Sequence, residues 1–304
     1  MKKLIVLGFV LLVLISACQQ ELPEEPTPTA CPPDCSGYGG NVETEVLGDT
    51  IYANSRFTPS VNINDEGESD TEGIVCITGL NSEVFEDYEE CSCQDFYVTL
   101  QDASDPNFEY DEIDFSSIYV STEESSEEEM TIITRYKYIT YGIFEVCLTG
   151  DPDRETECSE SGNKLETSSA GPVNVNSIKE DIQTVGDNSI TLRLQIEADY
   201  DASANQQLVA LNDVTDSSCF IGGSGEDVYV DVDVILLGKS TSCGEMVFEP
   251  GEESSTITCK LDNIDVDLLV GGSKEKEGWV KLTYGFEDIQ SHKFDIKTDE
   301  DAFK

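Results

Sequence analysis

The sequence has very little positive charge and almost no histidine. Its 304 residues include 17 lysines and arginines against 63 aspartates and glutamates, a formal net charge of −46, and one histidine, His292. Nucleic acid is excluded as a partner, because phosphates would be repelled and no basic patch is present to release counterions. Any Ser-His-Asp or Cys-His triad would have to use His292, and no Gly-x-Ser-x-Gly elbow lies near it. We therefore expect no catalytic site, and we interpret His292 as an exposed strand residue.

Two further absences limit the possible fold class and the possible modifications of the surface. After the first eighteen residues, no stretch shows a convincing apolar stripe at helical spacing, which disfavours a helical fold. Asn-x-Ser/Thr acceptors are absent throughout, so N-linked glycans are not expected. The 63 acidic residues supply so many carboxylate pairs that no single pair indicates glycoside hydrolysis.

The N-terminus has the three parts of a secretory signal peptide. Residues 1–3 read Met-Lys-Lys, residues 4–15 are apolar, and Ser16 and Ala17 precede Cys18. The apolar run is shorter than the roughly 20 residues that a membrane-spanning helix needs. Residues 15–18, Ile-Ser-Ala-Cys, resemble the lipobox of prokaryotic lipoproteins. The alternatives are an ordinary signal peptide, or an N-terminal membrane helix, that happens to contain a cysteine.

The lipobox resemblance implies a location. It implies that residues 1–17 are removed, that the sulfur of Cys18 carries a lipid, and that the protein is anchored in the cell membrane and faces the exterior or the periplasm. Residues 18–41 then form a tether. Residues 19–30 are rich in proline and glutamate, a composition that cannot bury enough apolar surface to fold. A collar containing Cys31 and Cys35, which could pair with each other, ends the tether.

Cysteine number predicts a disulfide framework. Eleven cysteines are present, and lipidation of Cys18 would leave an even ten, which in an exported chain is typical of up to five bridges. A metal site is less favoured, because Cys91 and Cys93 are too close for a Cys-x-x-Cys knuckle and no histidine lies nearby. The ten disulfide candidates are Cys31, Cys35, Cys76, Cys91, Cys93, Cys147, Cys158, Cys219, Cys243 and Cys259.

The chain after the tether is patterned for β-strands. Residues 131–141 and 143–148 are full of branched and aromatic side chains, and residues 189–196 alternate strictly between apolar and polar. Short strands separated by turn residues predict antiparallel sandwiches. We place a linker at residues 159–170 and predict two sandwich domains, residues 42–165 and 166–304. The acidic run at residues 123–129 is interpreted as a solvated loop.

The two predicted domains resemble each other and a known group of proteins. Each has an alternating strand followed by an acidic turn, at residues 64–67 and 199–202, and the strand pair within residues 136–148 is followed by Gly-Pro-Val at residues 171–173. The pair resembles the tandem immunoglobulin-like domains of prokaryotic cell-surface proteins, archaeal lipoproteins among them. The resemblance implies an all-β fold of two tandem immunoglobulin-like antiparallel sandwiches and a surface location, but no chemistry. The antibody-type pattern of cysteine, tryptophan and cysteine is missing.

The odd number of cysteines in the second predicted domain limits how the disulfides can pair. The second predicted domain holds three cysteines, so either one bridge crosses between the domains or two thiols stay free. We favour a Cys243–Cys259 bridge inside the second domain, with Cys219 reaching back to Cys91 or Cys93. Cys147 and Cys158 could pair across a hairpin.

Calcium is the one cofactor that the sequence suggests. Residues 62–67 carry oxygen donors at alternate positions, but the acid that an EF-hand loop needs at its last position is replaced by Gly73. An irregular site would draw on five carboxylates, and the alternative interpretation is a solvated acidic turn. The candidate ligands are Asp65, Glu66, Asp70, Asp151 and Asp153.

Together these patterns predict a lipid-anchored cell-envelope protein with a non-catalytic binding, adhesion or structural role. Its partners would be the membrane, through the N-terminal lipid, and a protein or glycan at the cell surface. One alternative is a self-assembling surface-layer or filament subunit. The other is a solute-binding or hydrolytic surface lipoprotein, which would need a deep pocket lined by acids and aromatic residues.

Overall fold

The computed structural model describes residues 42–46, 50–65, 71–98, 111–148, 158, 161–169, 171–184, 189–201, 205–219, 226–265 and 274–298. The predicted signal peptide (residues 1–17) and all of the predicted tether (residues 18–41), including Cys18, Cys31 and Cys35, lie outside this part. All of the described residues belong to one compact unit, residues 34–304. None of them forms a helix with the length and apolarity needed to cross a bilayer.

Almost all of the described chain is β-strand, which confirms the all-β prediction; its one helical element is a short 3₁₀ helix, Leu211–Thr215. The strands are β1 (Val42–Val46), β2 (Thr50–Tyr52), β3 (Arg56–Phe57), β4 (Ser60–Asp65), β5 (Thr71–Thr78), β6 (Phe85–Glu86), β7 (Cys91–Val98), β8 (Asp111–Asp114), β9 (Ile118–Val120), β10 (Ser126–Leu148), β11 (Leu165–Ser168), β12 (Val173–Thr184), β13 (Ser189–Tyr200), β14 (Gln206–Val209), β15 (Val228–Leu236), β16 (Lys239–Phe248), β17 (Ser254–Asp265) and β18 (Lys274–Lys297).

The strands form one large sheet and three small ones. The main sheet has nine strands, with β16-β15-β18-β10-β5-β7 as its path and with β11 paired to β10, and β14 and β2 paired to β18. The small sheets each have three strands, in the orders β1-β4-β8, β3-β9-β6 and β12-β13-β17. All of the pairs are antiparallel except the one between β18 and β2.

The two longest strands, β10 and β18, form the centre of the main sheet. They pair without a bulge from Ser126 opposite Ile296 to Leu148 opposite Lys274. The prediction of separate strands at residues 131–141 and 143–148 is wrong in this detail, because Gly142 stays within the ladder opposite Val280. Residues 127–129, predicted as part of a solvated loop, lie in the strand, where backbone pairing with β18 determines their conformation.

Strands from both predicted domains share the main sheet. β10 precedes the predicted boundary at residue 165, and its partner β18 lies far beyond it. The predicted linker, residues 159–170, contains β11, which pairs with β10 at Gly142 and Phe144. The boundary therefore does not separate one sheet from another.

Each half of the main sheet carries its own covering sheet on one face, which we call the front face. Ile190, Leu192, Leu194 and Ile196 of β13 are fully buried, as their alternation predicts. The hydroxyl of Tyr284, in β18, accepts a hydrogen bond from the backbone N–H of Val173 in β12, which connects the two sheets. Elsewhere on the front face, the ring of Phe294 packs against Phe57 and Phe85 of the β3-β9-β6 sheet.

On the opposite face, here the back face, one segment of the described chain packs over part of the main sheet. This covering segment, residues 205–219, pairs with β18 through β14 and continues through the 3₁₀ helix. Beneath it lies a second apolar cluster of Ile74, Cys76 and Ile133, which is separate from the main core. Since side chains alternate along a strand, these residues point away from their neighbours Val75 and Ile132, which are buried in the main core.

Candidate functional site

Two disulfides meet on the back face and form a cluster of four sulfur atoms. One joins Cys76 to Cys93, which face each other across β5 and β7 with their Cα atoms 4.0 Å apart. The other joins Cys91 of β7 to Cys219 at the end of the covering segment, with a Cα separation of 5.5 Å. Because Cys91 and Cys93 are two positions apart on one strand, their side chains share a face, and their Sγ atoms are 3.7 Å apart. We call these four residues the sulfur cluster.

Three of the observed bridges agree with the pairing predicted from the sequence. Cys219 bonds to Cys91, and the two remaining bridges are Cys147–Cys158 and Cys243–Cys259. The last of these joins β16 of the main sheet to β17 of a covering sheet. The Cys76–Cys93 bridge was not predicted, because only the register of β5 against β7 brings its two cysteines together.

A buried ion pair holds the covering segment down beside the sulfur cluster. The guanidinium of Arg135 donates from Nε to a carboxylate oxygen of Glu287 at 2.6 Å, and both side chains are almost completely buried. Its Nη1 donates to the backbone carbonyls of Asp216 and Ser218, at 3.0 and 2.8 Å. The other carboxylate oxygen of Glu287 accepts a hydrogen bond from the side-chain amide of Gln207. Both charges, and most N–H groups of the guanidinium, therefore have hydrogen-bond partners inside the protein.

A cleft of about 470 Å³ opens beside this network. One wall consists of Leu211, Val214 and Thr215 from the covering segment, and Lys137 of β10 contributes a half-buried ammonium group. The lining also includes Glu72, Gly73, Asp95 and Phe96. The cleft therefore combines apolar contact with charges of both signs. Tyr97, whose side chain is 56% exposed, lies opposite Glu72 in the β5–β7 ladder.

Two other clefts are strongly acidic. One, of about 850 Å³, lies at an end of the β12-β13-β17 sheet and contains Asp199, Asp201, Glu252 and Glu253. In the other, of about 250 Å³, the pKa of Glu145 is raised, mainly by the charge of Glu166 and further by partial burial and by Glu275 and Glu277. Such clefts repel anions and offer oxygen atoms to cations, but an acidic cluster alone does not define a metal site.

The predicted calcium ligands cannot be assembled from the described residues. Glu66, Asp70, Asp151 and Asp153 lie outside them, and only the backbone of Asp65, at the end of β4, is described. His292 is in strand β18, as predicted, but it is half-buried rather than exposed and stacks on Phe294 with ring centres 6.3 Å apart. The calcium site therefore stays a prediction.

Sequence reasoning missed Arg135, Glu287 and Lys137. A signal for the first was present, because an arginine in the middle of a strand of branched and aromatic residues must find a partner when it is buried. The partner is 152 positions away in sequence, and no local pattern could identify it. Lys137 follows two positions later on the same face of β10, but its role in a cleft depends on the covering segment.

Comparison with models of known protein families finds no match, and comparison with curated proteins finds none.

Proposed function

We propose that the chain is a lipid-anchored protein of the cell envelope, displayed outside the membrane, with a non-catalytic role in binding or structure. The observation that carries this proposal is the set of four disulfides in the described residues. Disulfides form and persist in oxidising compartments, and they are rare where glutathione and thioredoxin keep thiols reduced. The anchor itself rests on the resemblance of residues 15–18 to a lipobox, and the immunoglobulin-like character of the two halves also belongs to the proposal.

The surface that best fits a partner is the cleft beside Lys137 together with Tyr97. Tyrosine is enriched in protein interfaces because it offers a large, rigid, partly apolar contact area with a polar tip. Lys137 provides a positive group on a surface that is otherwise strongly negative. The proposed partner is therefore a protein or glycan of the cell surface that presents an acidic or hydroxyl-rich group to Lys137.

The anchor and the contact surface are tested separately. For the anchor, Cys18→Ser should move the protein from the membrane fraction to the medium or the periplasm and abolish incorporation of a labelled fatty acid. A variant that stays in the membrane with unchanged label contradicts the proposal. For the surface, a photo-crosslinking amino acid at position 97 should capture a partner on intact cells. The matched control is position 52, where Tyr52 is also exposed, at 48%; equal capture at both positions contradicts the assigned surface.

Self-assembly into a surface layer or filament is the second candidate. It is favoured by the edge position of β16, which forms a ladder only with β15 in the described part of the chain, although the carbonyl of Val247 on that strand already accepts a hydrogen bond from the hydroxyl of Ser255. Exposed edges are templates for pairing with another chain. Calcium-dependent growth in light scattering, with ordered sheets or fibres in electron microscopy, would support this candidate; a monodisperse monomer at all calcium concentrations would exclude it.

A further inference from the structure

We propose that the sulfur cluster is a metal site in its thiol form: when both disulfides are reduced, Cys76, Cys91, Cys93 and Cys219 bind one Zn²⁺ as four thiolate ligands. This inference does not rest on the proposed partner or on the lipid anchor, and it concerns the chain only after a dithiol has reduced both bridges, a state that the oxidising compartment proposed above does not favour. It rests on the positions of the four sulfur atoms, on the scaffold that holds them, and on their surroundings.

Three of the four sulfurs lie in one close group, and Cys91, which falls outside that group, must move toward Cys76 to complete a tetrahedral site. A Zn–S distance of about 2.3 Å places the sulfurs of a tetrahedral four-thiolate site roughly 3.8 Å from one another. The Sγ atoms of Cys91 and Cys93 are already 3.7 Å apart. Those of Cys76, Cys93 and Cys219 all lie within 4.8 Å of one another. Breaking the two S–S bonds lets each bonded pair of sulfurs separate by side-chain rotation, without movement of the strands.

The scaffold does not depend on the disulfides alone. Cys76 and Cys93 are held by the ladder between β5 and β7, which runs from Thr71 opposite Val98 to Thr78 opposite Cys91. The backbone before Cys219 is fixed by the hydrogen bonds from Arg135 to the two carbonyls of residues 216 and 218. We therefore expect all four cysteines to stay near one another after reduction.

The surroundings suit a soft metal ion. Cys76 is fully buried and packs with Ile74 and Ile133, so one side of the cluster is apolar. Cys93 and Cys219 are half-buried, which gives reductant and metal a route from the solvent. Thiolates are the preferred ligands of Zn²⁺ in structural sites.

Two features of the sequence speak against a zinc site. Cys91 and Cys93 are separated by one residue, whereas a zinc knuckle has two residues between its cysteines, and no histidine lies nearby to act as a further ligand. The structure resolves both objections. On a β-strand, a Cys-x-Cys pair presents both sulfurs on one face. The third and fourth ligands come from β5 and from the covering segment, which the sequence places 15 positions before Cys91 and 126 positions after Cys93.

The chemistry balances with a dithiol as reductant. Each disulfide takes two electrons and two protons from one dithiol, which becomes a cyclic disulfide, so two dithiols yield four protein thiols. Binding of Zn²⁺ then displaces the four thiol protons.

The test uses the full chain, purified in detergent and reduced under argon, with the reductant removed before Zn²⁺ is added. Elemental analysis should show one bound ion per reduced chain and none in the oxidised chain. Alkylation followed by peptide mapping should show that zinc abolishes labelling of the four cluster cysteines and leaves Cys147, Cys158, Cys243 and Cys259 labelled. Absence of bound zinc, or protection of other cysteines instead, overturns the proposal.

Two variants separate a specific site from general thiol binding. Replacing Cys91 and Cys93 by serine should abolish stoichiometric binding. Replacing the cysteines outside the cluster should leave binding of one ion and the tetrahedral cobalt–thiolate absorption of the Co²⁺ form unchanged. If the second variant does not fold, as judged by circular dichroism, protection mapping on the native sequence decides the question. Equal binding by the native chain and the Cys91→Ser, Cys93→Ser variant also overturns the proposal.

Discussion

Arg135 and Glu287 stand directly opposite each other in the ladder between β10 and β18, and their side chains form a buried ion pair at 2.6 Å. The pair joins the two strands around which the main sheet is built. Through the carbonyls of Asp216 and Ser218 it also holds the covering segment on the back face. One ion pair thus stabilises both the centre of the sheet and the position of the sulfur cluster.

Removing one partner of this pair should be strongly destabilising. Arg135→Met leaves the carboxylate of Glu287 buried without its cation, and we expect a loss of about 3–5 kcal/mol in the free energy of unfolding. Urea denaturation followed by tryptophan fluorescence measures the change. The double variant Arg135→Met, Glu287→Leu should recover much of the loss, because it leaves no uncompensated charge in the interior.

The matched control is an exposed ion pair between the same two strands. Lys293 lies 3.0 Å from Glu127, with both side chains more than half exposed, at 61% and 63%. Lys293→Met should cost far less than Arg135→Met, since exposed pairs gain little over solvation and are screened by salt. Equal losses for Lys293→Met and Arg135→Met would contradict the role assigned to Arg135.

Tyr284 should contribute through its hydroxyl as well as its ring. The hydroxyl is hydrogen-bonded to Thr140 Oγ1 at 2.9 Å and to the Val173 N–H at 3.2 Å, and the ring stacks on Tyr138. Tyr284→Phe leaves a buried N–H without a partner, so we expect a loss of about 1–3 kcal/mol in urea denaturation. Tyr229→Phe, on a side chain that is 45% exposed, should change stability little. The prediction fails if the two variants are equally stable.

The disulfides should differ in how much they stabilise the folded protein, because they close loops of different length. Cys91–Cys219 spans 128 positions and Cys147–Cys158 spans 11. In the chain-entropy account, closing the longer loop stabilises by nearly 5 kcal/mol and closing the shorter by roughly 3 kcal/mol. Serine at both positions of the long bridge should therefore lower the melting temperature more than serine at both positions of the short one. The opposite order would show that the covering segment is held without its bridge.

Stability should depend on pH through Glu145. Its pKa is raised in the folded protein, chiefly by Glu166, so the folded state binds more protons than the unfolded state between the two pKa values. Stability therefore falls as pH rises through that window. Glu145→Gln should raise the melting temperature above the window, and its advantage should disappear below the unfolded pKa.

High salt, and the removal of a different negative charge, test why Glu145→Gln should raise the melting temperature. Because Glu166 is exposed and Glu145 is only partly buried, high salt should screen their repulsion and reduce the advantage of Glu145→Gln. Glu83→Gln removes the same charge from a turn distant in sequence and serves as the control. An equal, salt-independent gain in both variants would show that net charge, not the neighbours of Glu145, is responsible.

The features that sequence reasoning predicted are those that local pattern determines. Alternation along residues 189–196 fixes which side chains of β13 are buried, and branched residues at 131–148 favour a strand. Cysteine parity needs no structure: it left either one bridge between the predicted domains or two free thiols, and the favoured pairing of Cys219 with Cys91 or Cys93 agrees with the observed Cys91–Cys219 bridge. These features follow from strand geometry and from counting, so a single sequence is sufficient for them.

The shared sheet could not be predicted in the same way. Each half of the chain has its own strand pattern, and nothing local shows that β10 would pair with a strand more than a hundred residues later. The sulfur cluster, the Arg135 network and the Lys137 cleft all depend on that pairing and on the covering segment. The candidate site therefore depends on which distant strands pair and in what register. Neither the periodicity of apolar residues nor the spacing of motifs in the sequence specifies that pairing.

We propose that this chain is exported, lipid-anchored and closed by disulfides. Non-reducing peptide mapping by mass spectrometry, on protein isolated from the membranes of its own cells, tests it most directly. The account predicts a peptide containing Cys91 linked to one containing Cys219, and an N-terminal peptide that begins at Cys18 and carries a lipid. A chain that retains Met1 and has all of its thiols free would contradict it.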